Sequence, residues 1–336
     1  MPASECPVAD RVTQSIDLPA QRPLAGILFL LLGTTLFPLQ DVIIKSFSDQ
    51  YAVHQIVFLR GLFAIPVVAV IAHLDGGIFP LRLGSIRLHF LRAAAGFTSY
   101  MVYYMALAAL GLAETAAITF STPIFVTILA MFFLNEQIGL WRWSAIFVGL
   151  LGVLVVVRPG VGVFEPAALL ALMAAVAYAT SIIATRKLGP TASGGSMTIF
   201  TLGFFIVAGG LIGIIFSFFS LESPHPSLAF LYRAWIWPEP SHWILFVAVG
   251  TISGIGFFAL TQAYRLADAS VVTPFEYTVL PWAVLWGWVF FGSLPDGLTW
   301  LGMTLIVGAG LLILLRETVR GKRVVRRKGL GVLRQR

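Results

Sequence analysis

Three charged residues stand where hydrocarbon-soluble helix is expected. Asp41, Lys45 and Arg60 fall in "FPLQDVIIKSFSDQYAVHQIVFLRGLFAIPVVAVIA". Arg60 lies about eight residues into the second apolar run, roughly 12 Å deep at helical rise. A charge at that depth is expensive unless it faces the bundle interior, water or a partner. Asp41 precedes Lys45 by one helical turn, an i,i+4 pair, and is the nearest depth-matched acid for Arg60. Two readings fit: an ion-pair cluster pinning the first helix to the second, or a cavity charge that meets an ionised solute. Lys45 by itself reads as an interfacial snorkelling anchor.

Other candidates lie further along. Tyr100, Tyr103 and Tyr104 share one run, and Phe258 and Gln262 share another. A spacing of four puts Tyr100 with Tyr104, and Phe258 with Gln262, on one helix face each. A mostly aromatic cavity with a few polar handles suits a flat or amphipathic solute, and ordinary helix packing is the alternative. Trp282 and Trp286 share a face with Thr278. Glu276 lies about 9 Å inside the ninth run, where an acid suits proton coupling or a hydrogen bond to backbone freed by Pro274 or Pro281.

The elements that position these residues follow from composition. The chain of 336 residues is 58% hydrophobic and 11% charged, with a mean hydropathy of +0.92. A soluble domain carries about a quarter charged residues, so this is an integral membrane protein. About 20 apolar residues span a bilayer core. Such runs fall near 24–46, 52–72, 90–110, 115–134, 141–157, 166–185, 197–219, 243–264, 270–291 and 297–315, which predicts ten helices. Of the 22 basic residues, 18 fall on one side when the N-terminus is inside, so both termini are expected in the cytoplasm. The excess charge of +7 is concentrated in the tail after Arg316, as a topology determinant, and implies no nucleic-acid partner. The lone Cys6 lies in the polar N-terminal stretch and permits no internal disulfide. Residues 1–22 show no cleavable secretory signal.

The second half repeats the first. An offset of 158 matches Pro123 to Pro281, Phe132 and Phe133 to Phe290 and Phe291, Gly139 and Leu140 to Gly297 and Leu298, Gly96 to Gly254, and Gly152 to Gly310. Five helices per half is odd, so the second copy enters the bilayer inverted, as in secondary transporters with a midplane site. The expected organisation is a tail over 1–22, repeats over 23–160 and 161–316, and a basic tail over 317–336.

"DVIIK", "HQIVFLRG" and the run "ALGLAETAAITFSTPIFVTILAMFFLNEQIGLWRWSAIFVGLLGVLVVVRPG" resemble the EamA-like ten-helix branch of the drug/metabolite transporter superfamily. The likeness covers roughly 24–316. It departs where Leu294 in the second repeat stands opposite Glu136 in the first. The resemblance implies secondary transport of a small organic solute across a bacterial inner membrane. Export is the preferred direction, with uptake of a vitamin or nucleoside-like metabolite, of riboflavin or S-adenosylmethionine type, as the alternative.

No G-x-x-x-x-G-K-[ST] stretch offers an ATP motor. No H-E-x-x-H or G-x-S-x-G motif is present, and the five histidines are scattered. A membrane-embedded enzyme and a non-transporting scaffold are the competing classes. The expectation is an all-α membrane carrier, not an enzyme, with no cofactor and no metal, acting as a monomer or weak homodimer. Arg60, Asp41, Tyr100, Tyr104, Phe258, Gln262 and Trp282 would bind substrate, and Glu276 would couple protons.

Overall fold

The structure, a computed structural model, describes residues 23–74, 85–134, 140–158, 165–188, 194–219, 223–266 and 273–312. These residues are all helical apart from turns and one extended strap. The helices are α1 (Pro23–Ser46), α2 (Val53–Leu74), α3 (Ile86–Ala109), α4 (Leu112–Thr119), α5 (Thr122–Leu134), α6 (Leu140–Val157), α7 (Ala167–Leu188), α8 (Gly194–Ser217), α9 (Pro226–Tyr232) and α10 (Trp243–Leu266). A 3₁₀ turn (Thr273–Thr278) leads into α11 (Val279–Phe291), and α12 (Gly297–Leu312) follows. Six segments are long and apolar enough to cross a membrane by length and composition, and α6 and α12 are shorter apolar helices. α3 is less apolar because it carries Arg92 and three tyrosines.

Among the described residues ten helical segments result besides the short α9, with α4–α5 and the 3₁₀ turn with α11 each forming one. Both are broken near a proline, which lacks the N–H an α-helix needs. In the first, hydroxyls take up freed carbonyls: Ser121 donates to Ile118 at 2.6 Å and Thr122 to Thr119 at 2.7 Å. In the second, Thr278 donates to Phe275 at 2.6 Å. The two breaks, at Phe120–Ser121 and Thr278–Val279, are themselves 158 residues apart. α11 then stops at Gly292, whose positive φ of 63° needs no Cβ.

The repeat is visible in the packing. α3 packs on α7 as α10 packs on α1, α5 packs on α7 as α11 packs on α1, and α2 meets α8 between the halves. The 158 offset relates α3 through α6 to their counterparts, whereas α1 and α7 begin 144 residues apart. The difference comes from the connection between α8 and α10, residues 218–242, which is longer than that between α2 and α3 and carries α9.

Close helix approach fixes two seams. A Cβ on Gly250 of α10 would lie 2.3 Å from the Phe63 Cβ of α2, and one on Gly152 of α6 would lie 2.9 Å from the Gly302 carbonyl of α12. Small residues at such points let backbones meet where lipid offers no hydrophobic drive.

Among the described residues, the packed core is lopsided. Its largest cluster gathers Val42, Phe47, Tyr51, Ile56, Met105, Leu107, Phe230 and Phe246 at the end where α1 and α3 finish and α2 and α10 begin. Three basic residues lock this same end. Lys45 donates to the Leu107 and Leu110 carbonyls at 2.6 and 2.5 Å, capping α3. Arg233 donates to the Ser48 carbonyl. Arg158 pairs with Asp296 at 2.5 Å across the α6–α12 seam. The Asp296 carboxyl is held well below the usual carboxylate range, first by the Arg158 hydrogen bond and then by Thr299. A strap over Arg233–Pro240 completes the closure. Gln55 donates to Ile236 at 2.6 Å, the Trp235 indole donates to His54 at 2.5 Å, and the Tyr51 hydroxyl meets His242 at 2.7 Å.

Candidate functional site

α1, α2, α3 and α10 converge on Arg60, which is 2% exposed. Its Nε donates to Ser253 at 2.7 Å and its Nη1 to the Tyr104 hydroxyl at 2.9 Å. Gln40 closes the circuit, donating to Tyr104 at 2.7 Å and accepting from Ser253 at 2.5 Å. A four-membered polar ring thus ties one residue from each of four helices. The guanidinium carbon lies 4.2 Å from the Tyr100 ring centroid and 5.6 Å from that of Phe257, a geometry in which ring quadrupoles stabilise a desolvated cation. Nη2 is buried and has no hydrogen-bond partner.

Asp41 is not the direct counter-ion of Arg60. Its carboxylate accepts from Tyr103 at 2.7 Å, and among the described residues no ion pair joins it to Arg60 or to Lys45. It acts on Arg60 from one side chain away, through the field. Lys45 instead turns to the α3 carbonyls, with its ammonium 5.5 Å from the Phe291 ring.

Tyr100 and Tyr104 lie at the guanidinium, and Phe258 does not. Phe258 meets Phe29 edge-on at 6.1 Å, while its neighbour Phe257 meets Tyr100 at 6.3 Å and Phe37 at 5.8 Å. Gln262 is buried one turn beyond Phe258. Trp282 stacks on Trp286 at 5.9 Å and 17°. Glu276 is half-buried in the 3₁₀ turn beside Tyr277. Tyr178 of α7 stands within electrostatic reach of Tyr100, Glu276 and Arg92 together, and is 41% exposed. Glu136 lies outside the described residues.

Gln40, Ser253 and Phe257 escaped the sequence reading. The signal for the first two was a polar residue inside an apolar run. Arg92 escaped as well. It stands inside α3, donating to Thr185 at 2.8 Å, to the Met197 carbonyl at 2.9 Å and to Thr201.

Comparison with known proteins matches the EamA-like transporter family over residues 24–158 and 165–315. This chain belongs to that family. The EamA-like chain is 28% identical over 307 residues to a riboflavin transporter of Vibrio cholerae, covering 90% of this chain and 96% of that one. It is 25% identical over 294 residues to an S-adenosylmethionine uptake transporter of Rickettsia felis, with 88% and 94% covered. It is also 25% identical over 299 residues to a pseudopaline exporter of Pseudomonas aeruginosa, with 88% and 98% covered. A solved crystal structure shares the fold at a TM-score of 0.58 and 19% identity, covering 90% of this chain and 98% of that one. The EamA-like chain is a multi-pass membrane transporter of small metabolites and not an enzyme.

Proposed function

We propose that this carrier takes up a flat, hydrogen-bonding metabolite of the riboflavin or S-adenosylmethionine type by alternating access, driven by a gradient. The observation that carries this reading is the Arg60 cage, set between helices of both repeats, with an aromatic wall and one unpartnered donor. Such a mixture binds a π-faced solute by stacking and orients it with few polar contacts. The sequence reading leaned towards export; the named relatives, among them an uptake transporter, weigh towards import. The pseudopaline exporter supports the opposite direction as the second reading.

Alternating access fits the lopsided packing, with the ties of Lys45 and Arg233 broken when the carrier opens at their end. Glu276, half-buried in the 3₁₀ turn that leads into α11, is the proton-coupling residue in this reading. In this reading both termini are cytoplasmic, by the distribution of basic residues, and the family resemblance implies a bacterial inner membrane. One chain supplies the whole site, so a monomer suffices.

The test is uptake of labelled riboflavin and of labelled S-adenosylmethionine into proteoliposomes, with and without an imposed pH gradient. Saturable uptake of either, absent with Arg60→Ala, supports the reading. Uptake of neither, or uptake unaffected by Arg60→Ala, refutes it. Efflux from preloaded vesicles against the gradient would favour the exporter.

A further inference from the structure

A hydrogen-bond inventory of the ring leaves donors over. A guanidinium carries five N–H groups and accepts nothing. The Arg60 Nε and Nη1 have partners, but Nη2 is buried without one. Leaving charged donors unmatched in a buried site is costly, and native proteins rarely do so without a reason. Tyr104 adds to the surplus. Its hydroxyl accepts from both Arg60 and Gln40, so its own proton has no place in the ring. Among the described residues no carboxylate offsets this excess by contact, and Asp41 is engaged by Tyr103.

Resting on the transport reading above, we infer that Arg60 Nη2 and the Tyr104 hydroxyl form a two-donor fork that grips an acceptor oxygen of the solute, a ring carbonyl or a carboxylate. Tyr100 covers one face of the guanidinium at 4.2 Å, so the oxygen approaches in the guanidinium plane, where the N–H groups point. A solute offering an ammonium group at this point meets only donors and a positive charge, and is rejected. Ser253 and Gln40 are positioning residues: Ser253 fixes the rotation of the guanidinium through Nε, and Gln40 holds the Tyr104 oxygen from the other side. The specificity of the site is thus for an oxygen acceptor on a flat body.

The test pairs transport with a measurement that needs no knowledge of the cargo. Purified wild type, Arg60→Lys and Tyr104→Phe are first checked for monodispersity, then titrated with benzoate, uracil and riboflavin, and with benzylamine as the donor-bearing counterpart, following thermal stabilisation. The expected result is stabilisation of wild type by at least one oxygen-bearing probe and not by benzylamine. Affinity should fall at least tenfold in Arg60→Lys and severalfold in Tyr104→Phe. Benzoate alone identifies a carboxylate site; uracil or riboflavin alone identifies a carbonyl site. In proteoliposomes, Ser253→Ala should raise KM more than it lowers the maximal rate. If Arg60→Lys is not monodisperse, Tyr104→Phe decides.

Affinities within twofold of wild type in the folded variants overturn the fork. So does equal stabilisation by benzylamine, or no stabilisation by any probe. Failure of riboflavin and S-adenosylmethionine uptake while oxygen-bearing probes still bind in an Arg60-dependent way would instead remove the transport reading and leave the fork standing.

Discussion

Two arginines lie inside this bundle, and their surroundings differ. Arg92 of α3 spends its donors on two threonine hydroxyls and a carbonyl of α7 and α8, and Ser181 in turn donates to its own carbonyl at 3.1 Å. Arg60 of α2 has two hydroxyl partners, an aromatic face and a leftover nitrogen. The first is a tie between α3 of the first repeat and α7 and α8 of the second; the second is a tie with an opening for something else. Charge within the bundle is shared by both, so it does not by itself mark a binding residue. A buried nitrogen left without a partner separates them.

The largest expected effect tests that distinction. Arg60→Ala should lower transport kcat/KM by roughly 100-fold, about 3 kcal/mol for lost charged hydrogen bonds and stacking. Arg92→Ala should lower the melting temperature while leaving transport within severalfold of wild type. Equal transport loss with equal melting shifts would erase the contrast between the two sites.

Steric change comes next. Gly250 lies one turn from Ser253 and against Phe63, so Gly250→Val must push α10 off α2 and move Ser253 from Arg60. Overpacking of this kind costs about 1–3 kcal/mol, and transport should fall with stability. On the Arg92 side, Gly203 has open space around its Cβ position, and Gly203→Ala should be near neutral in both assays.

Smaller again is the effect of Glu276→Gln, which should flatten the pH dependence of uptake while leaving probe affinity at Arg60 within twofold. A pH profile unchanged from wild type would free Glu276 of any coupling role. The smallest effect belongs to the rim. Because the Asp296 carboxyl is depressed in the folded protein, its contribution is present above the ordinary aspartate range and disappears as pH falls below it. Arg158→Gln should therefore lower the melting temperature slightly at pH 7, less so in high salt, and not at all in strong acid.

The ten crossings were legible because apolar length is dictated by bilayer thickness, whatever the neighbours. The repeat was legible from Pro123 and Pro281 and the paired phenylalanines. Tyr100 and Tyr104 were legible because a spacing of four places them on one face. Phe257 was not: adjacent helix positions differ by about 100°, and only the rotation of α10 against α3 decides which of two phenylalanines meets the guanidinium. The same applies to Lys45, which could reach Asp41 along its helix but caps α3 instead, since the Leu107 and Leu110 carbonyls at the end of that helix lie within its reach.

What the sequence by itself determined is the membrane class, the duplicated architecture and the presence of costly charges within it, because hydrophobic length and charge burial are properties of single segments. Which donors meet which acceptors depended on helix packing. Ser253 and Tyr104 lie on separate helices and become partners of Arg60, with Gln40 of a third helix bridging the two, only when the helices pack together, α10 against α2 at a glycine seam. The nitrogen left over is decided there too, since an unmatched donor is defined by everything that surrounds it.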